Sequence, residues 1–243
     1  MNYIKRQART AGLLYLVVLI TAPIGLVYVP SQLYVRDNAA ATADRIRASE
    51  SLLRIGITSE LFHQIIFVFL VLALYRLFKP VNETRAQQML ILGALVSVPI
   101  VFVNVLNEIA AMVLLSGADY LTVFDRRQLD ALAMLFFRLH GQGINVVSIF
   151  WGLWLFPFGM LVIRSGFIPR MFGFLLILAG AGNLVSSFTT LLLPRYESRV
   201  DAVTGILEFA EVPIIFWLLI WGARVSTSQT ASSRTQGAQE IIP

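Results

Sequence analysis

The stretch Glu60-Leu61-Phe62-His63-Gln64-Ile65-Ile66-Phe67-Val68-Phe69-Leu70-Val71-Leu72-Ala73-Leu74 decides the fold. Its second part, Ile65–Leu74, carries no polar side chain, and the surrounding apolar segment runs from Ile55 to Phe78. That length suits an α-helix crossing a hydrocarbon core of about 30 Å. The stretch opens with an acid, an imidazole and an amide at i, i+3 and i+4, positions that share one helical face. A charge at mid-bilayer costs roughly 2.5–3.5 kcal/mol even on the most lenient insertion scale. Such a face is expected to turn toward protein rather than lipid.

Working outward, the same pattern recurs. Six spanning segments are predicted: Gly12–Val29, Ile55–Phe78, Met89–Leu115, Gly141–Ile163, Met171–Leu193 and Gly205–Gly222. Pro23, Pro99, Pro157 and Pro213 fall inside them, which membrane helices tolerate when neighbours re-satisfy the freed backbone groups. Apolar residues make up 57% of the 243 positions and charged residues 14%, well below the ~25% charged of a soluble domain. The first apolar run, Ala11–Val29, is longer than a signal-peptide core and lacks an A-x-A site, so it reads as a retained helix. The expected architecture is all-α, with one transmembrane domain over residues 1–224 and a disordered Ser/Thr/Gln-rich tail over 225–243.

The net charge of +5 comes from dispersed cations at the ends of apolar segments, where Lys and Arg meet lipid headgroups. The expected partner is the bilayer, and nucleic acid is not expected. No cysteine is present, which excludes disulfides, thiolate metal sites and thiol catalysis. Counting Lys and Arg in the flanks places both termini on the inner side of the membrane, with ten cations inside against eight outside. Two connections on the outer side, Ala39–Leu53 and Asp125–Leu139, have helical spacing. They read either as interfacial helices or as extensions of the following spans.

Under this topology the polar residues gather at one depth. Glu60, His63 and Gln64 begin the second span, while Asn104, Asn107 and Glu108 end the third. Arg138, His140, Gln142 and Asn145 open the fourth, and Glu208 and Glu211 open the sixth. The opposite halves are almost wholly apolar. The candidate ligand-binding residues are Glu60, His63, Asn107, Glu108, His140 and Glu211, with Glu208 as a further neighbour. Three chemistries fit them. Intramembrane acids and imidazoles relay protons or bind a small polar ligand or ion. Alternatively, His63, His140, Glu60 and Glu108 are a ligand set for a divalent metal, as in a membrane-embedded hydrolase. Only one Glu-x-x-His pair is present, where di-iron bundles use two, and there is no H-E-x-x-H. Interhelical hydrogen bonding in a structural or sensory protein accounts for any single residue equally well. The pattern by itself assigns no reaction.

Several runs resemble one bacterial membrane family, known as domain of unknown function 4386. They are Ala8-Arg9-Thr10-Ala11-Gly12-Leu13-Leu14-Tyr15-Leu16, Leu74-Tyr75-Arg76-Leu77-Phe78-Lys79-Pro80-Val81-Asn82 and Phe150-Trp151-Gly152-Leu153-Trp154-Leu155-Phe156-Pro157-Phe158-Gly159. Ser165-Gly166-Phe167-Ile168-Pro169-Arg170 with Gly173 and Gly180, and Glu211 before Trp217-Leu218-Leu219-Ile220, continue the likeness. Together they cover roughly Ala8 to Gly222. The resemblance implies a six-helix inner-membrane protein and supplies no activity and no catalytic residue.

Overall fold

A computed structural model describes residues 2–223. The predicted tail, 225–243, lies outside the described residues. Six helical segments are long and apolar enough to cross a membrane: Tyr3–Leu33, Glu50–Phe78, Glu83–Leu114, Arg126–Ser165, Arg170–Leu192 and Pro194–Ile220. They are called the first to sixth spans below. No strand occurs among the described residues. The chain is an all-α, polytopic integral membrane protein, as its sequence leads one to expect.

Local chemistry sets the ends of these helices. Asn82 caps the third span by accepting from the Arg85 amide at 2.9 Å. Asp125 and Gln128 form a reciprocal capping box that starts the fourth. Gly166, at φ +69°, stops the fourth span in the left-handed conformation that glycine adopts without steric cost. Pro23 is followed by a π-helical turn, Ile24–Tyr28, and a second such turn, Ile91–Val96, lies just before Pro99. These wider turns absorb the bonds that proline cannot make.

The six spans close into a ring in chain order. Each packs on its sequence neighbours, and the first packs on the sixth. Burial of apolar surface does not drive this association in lipid, so close van der Waals packing must. Glycine provides it. A Cβ added at Gly152 would stand 2.8 Å from the Gly180 carbonyl oxygen, and one at Gly180 would stand 2.7 Å from that of Gly152. Gly159 and Gly173 repeat the reciprocal arrangement at 2.6 and 2.5 Å. The two pairs are seven residues apart on each helix, so the fourth and fifth spans touch backbone to backbone over two turns. Gly12 closes the ring in the same way against Leu219.

Inside the ring, the half nearest the chain ends is filled by apolar side chains. Phe78, Phe158, Trp154 and Phe67 form a continuous aromatic column with centroid spacings of 5.3–5.7 Å. Trp154 and Phe158 are thus core residues, not lipid-facing ones. Both ends of the described chain lie at this end, since Arg9 donates to the Ile220 carbonyl at 2.9 Å.

The opposite end differs from a plain set of loops. Asp125–Leu139 is a helical extension, because Arg126–Ser165 is one unbroken helix of 40 residues. At 1.5 Å per residue it is about 60 Å long, roughly twice a ~30 Å hydrocarbon core. Ala39–Leu53 instead breaks at Ser49 into a short helix, Ala39–Ala48, and the start of the second span. Arg47 of the short helix pairs with the buried Asp130, and Arg126 pairs with Asp44 at 2.6 Å. These charges pin the short helix across the extended fourth span.

Gly159→Val is expected to lower stability by about 1–3 kcal/mol through overpacking against Gly173. Thermal unfolding in detergent, followed by tryptophan fluorescence, reads this directly. An unchanged midpoint would contradict the backbone contact.

Candidate functional site

At the end of the ring away from the termini, three ionisable side chains from three spans converge. Glu60 of the second span and Glu108 of the third are each 3% exposed, and His140 of the fourth is 7% exposed. The His140 Nε2 lies 3.4 Å from Glu60 Oε1 and 3.9 Å from Glu108 Oε1. One donor atom from each of the three falls within 4.8 Å of the others. Both Glu60 carboxylate oxygens and Glu108 Oε2 are buried without a hydrogen-bond partner. That is an unusual state for carboxylates, since buried polar groups are nearly always hydrogen-bonded.

The surroundings hold these groups in place. Glu60 fits because residue 25 is glycine: a Cβ there would stand 2.6 Å from Glu60 Cγ. The π-helical turn of the first span brings Gly25 to that position. His140 is oriented by Asn104, one turn before Glu108 and on the same face. The Asn104 Nδ2 donates to the His140 carbonyl at 2.9 Å, and the His140 Nδ1 lies 3.4 Å from the Asn104 carbonyl. Asn107 Nδ2 in turn donates to Asn104 Oδ1 at 3.1 Å, which fixes the orientation of that amide. Gly143 leaves the room Asn104 needs, because an added Cβ would coincide with its amide. With Nδ1 turned to the backbone, Nε2 is left to face the two carboxylates.

A cavity of about 610 Å³ reaches this group from the surface. Glu108 and His140 line its inner end, and Gln142 and Asn145 of the fourth span lie along one wall. Glu60 sits behind, in contact with His140. Thr42 and Ile46 of the short helix line it as well, so the Arg47–Asp130 clamp holds part of its wall. At the mouth, Arg138 pairs with Asp37, whose backbone is left-handed at φ 56°.

The other sequence-predicted residues lie elsewhere. His63 is buried and stacks on Phe67, with its Nδ1 3.4 Å from the Thr21 hydroxyl of the first span. It is outside the three-residue group. Glu211 of the sixth span accepts a hydrogen bond from the buried Tyr15 of the first. Asn107 stands one step behind the triad. The side chain of Glu208 is not among those described. Sequence reading passes over the importance of Asn104, Gly25 and Gly143. The i, i+4 spacing of Asn104 and Glu108 is a signal for the first, whereas nothing local marks the two glycines.

Comparison with known proteins bears on family, not chemistry. The model of the family described as "Domain of unknown function (DUF4386)" matches residues 10–222. A protein of Archaeoglobus fulgidus, itself named as an uncharacterized protein, is 33% identical over 83 residues. The alignment covers 34% of this chain and 48% of that relative, so the match spans about half the relative's length. No solved structure matches the chain.

The support of His140 is testable through two glycines that stand two residues apart on the fourth span. Gly143→Ala is expected to destabilise by about 1–3 kcal/mol, the cost of leaving a buried polar group unsatisfied when Asn104 is displaced. Gly141→Ala meets nothing within 4 Å, and is expected to be neutral or to stabilise by about 0.5–1 kcal/mol. Equal unfolding midpoints for the two variants would contradict the Asn104 arrangement.

Proposed function

The chain belongs to the DUF4386 family, and we propose that it binds a small, positively charged ligand or ion inside the membrane, at Glu60, Glu108 and His140. One observation carries this reading: two buried carboxylates with unpartnered oxygens sit beside one imidazole at the inner end of an open cavity. Polar residues that merely join helices satisfy one another. Here the amides do so, since Asn104 and Asn107 bond to each other and to His140. The two carboxylates share only the one imidazole, and three of their oxygens have no hydrogen-bond partner. A buried, unpaired charge is costly, and a cation entering from the cavity offsets that cost.

The cavity lies at the end of the ring away from the described termini. Beyond the triad the ring interior is the packed column of Phe67, Trp154 and Phe158. In this reading the ligand enters from the cavity side. The excess of Lys and Arg at the terminal end favours a cytoplasmic position for both termini, with the cavity on the outer face of a bacterial cell membrane. His63 and Glu211 act in this reading as packing partners of the first span.

The absence of cysteine makes a direct test available. Asn145→Cys, in the cavity wall, is expected to react with a membrane-impermeant thiol reagent from one side of sealed proteoliposomes. Leu70→Cys, in the core, is expected to stay unlabelled. A thermal-shift screen of inorganic cations and small amines is expected to find stabilisation, about 2.7 kcal/mol at a hundredfold excess over Kd, that Glu108→Gln removes. Failure of Asn145→Cys to react from either side, or in detergent, would sink the proposal.

A further inference from the structure

We infer that Glu60, Glu108 and His140 form the binding site for one divalent first-row metal ion, in the class from Mn²⁺ to Zn²⁺. The inference deepens the proposed function, because it rests on the triad being a ligand site and names the ligand's chemistry.

Three observations point to a metal rather than an organic cation. The first is spacing. Donor atoms about 2.0–2.2 Å from a tetrahedral ion stand about 3.4 Å from one another. The observed separations from His140 Nε2 are 3.4 and 3.9 Å, and all three donor atoms lie within 4.8 Å. The second is charge. Two carboxylates and a neutral imidazole carry −2, which one divalent ion cancels without leaving a net charge in the bilayer. An imidazolium would cancel only half. The third is donor readiness. Glu60 Oε2 and Glu108 Oε2 are buried without a hydrogen-bond partner, and Glu60 Oε1 faces the same imidazole that would share the ion with it.

The support around the histidine has the form that metal sites use. A ligating imidazole commonly turns its other nitrogen to a carbonyl, which sets the tautomer and the ring orientation. His140 turns Nδ1 toward Asn104, whose side-chain nitrogen lies 3.2 Å and whose carbonyl lies 3.4 Å away, and turns Nε2 toward the acids. The mixed nitrogen and oxygen set favours first-row transition ions over Ca²⁺ and Mg²⁺, which take oxygen ligands. Three protein ligands leave a coordination position open, and the cavity lies on that side, where Glu108 and His140 line it.

The test uses the full chain purified in detergent, stripped with a chelator and re-equilibrated with Zn²⁺ or Mn²⁺. Elemental analysis is expected to find one tightly held ion per chain in the wild type and in His63→Ala. Glu60→Gln, Glu108→Gln and His140→Ala are expected to lose it, and Asn104→Ala to weaken binding by about 10–100-fold. Metal held equally well by Glu108→Gln would overturn the assignment, as would a wild type that binds none. Should the triad variants fail to fold, the Asn145→Cys protein keeps the test open, since its triad is intact. Metal is expected to slow its thiol labelling at least severalfold, and labelling unaffected by metal overturns the site. Labelling without any metal effect leaves the cavity standing and removes only the metal, whereas no labelling removes both readings.

Discussion

Two carboxylates drawn out of water beside a single imidazole set the terms for everything around them. In a medium of low dielectric, Glu60 and Glu108 repel each other, and each loses the hydration it would have in solvent. His140 stands between them and offsets part of that cost. Its position must therefore be held, and the molecule holds it with groups that have no other evident task. Asn104 bonds to the His140 carbonyl, Asn107 bonds to Asn104, and Gly143 leaves the space in which that amide sits. Gly25 does the same for Glu60 from the first span. Side chains from three spans, with a glycine of a fourth packed against one of them, thus converge on one buried polar point.

The rest of the ring supplies rigidity to that point. Around the aromatic column, backbone-to-backbone contacts at Gly152–Gly180, Gly159–Gly173 and Gly12–Leu219 bring the spans close without relying on hydrophobic burial. The polar end is looser and contains the cavity, so it is closed by charge instead. Arg47–Asp130 and Arg126–Asp44 fasten the short helix, and Arg138–Asp37 lies at the mouth. One half of the membrane domain is a packed frame, and the other is a cavity held by ion pairs.

The contrast between Glu60 and His63 shows how far local spacing can be trusted. Residues at i and i+3 share a face, but they differ by about 60° around the helix axis at 3.6 residues per turn. On the second span that angle is enough to send Glu60 toward the fourth span and His63 toward the first. Glu211 has a similar history. Its sequence position suggests the depth of the triad, but the sixth span begins at Pro194, and Tyr15, ten residues along the first span from the Gly25 that packs on Glu60, takes the carboxylate in the core half. The depth of Glu60, Glu108 and His140 is legible from their distance to the end of an apolar run, and that of Glu211 is not, because its span starts earlier than its apolar run. The azimuth of each group is not legible, because that depends on which helix stands next to it.

Local chemistry written along the chain determined the six spans, the caps at Asn82 and Asp125, the stop at Gly166 and the gathering of polar side chains at one end. Each of these follows from transfer of apolar residues to lipid, or from a hydrogen bond closed within a few positions. Ring order, helix rotation and the choice of partners were decided only by the tertiary structure. Glu108 meets His140, and Arg138 meets Asp37, because backbones pack at glycines far apart in sequence, and no local pattern carries that information.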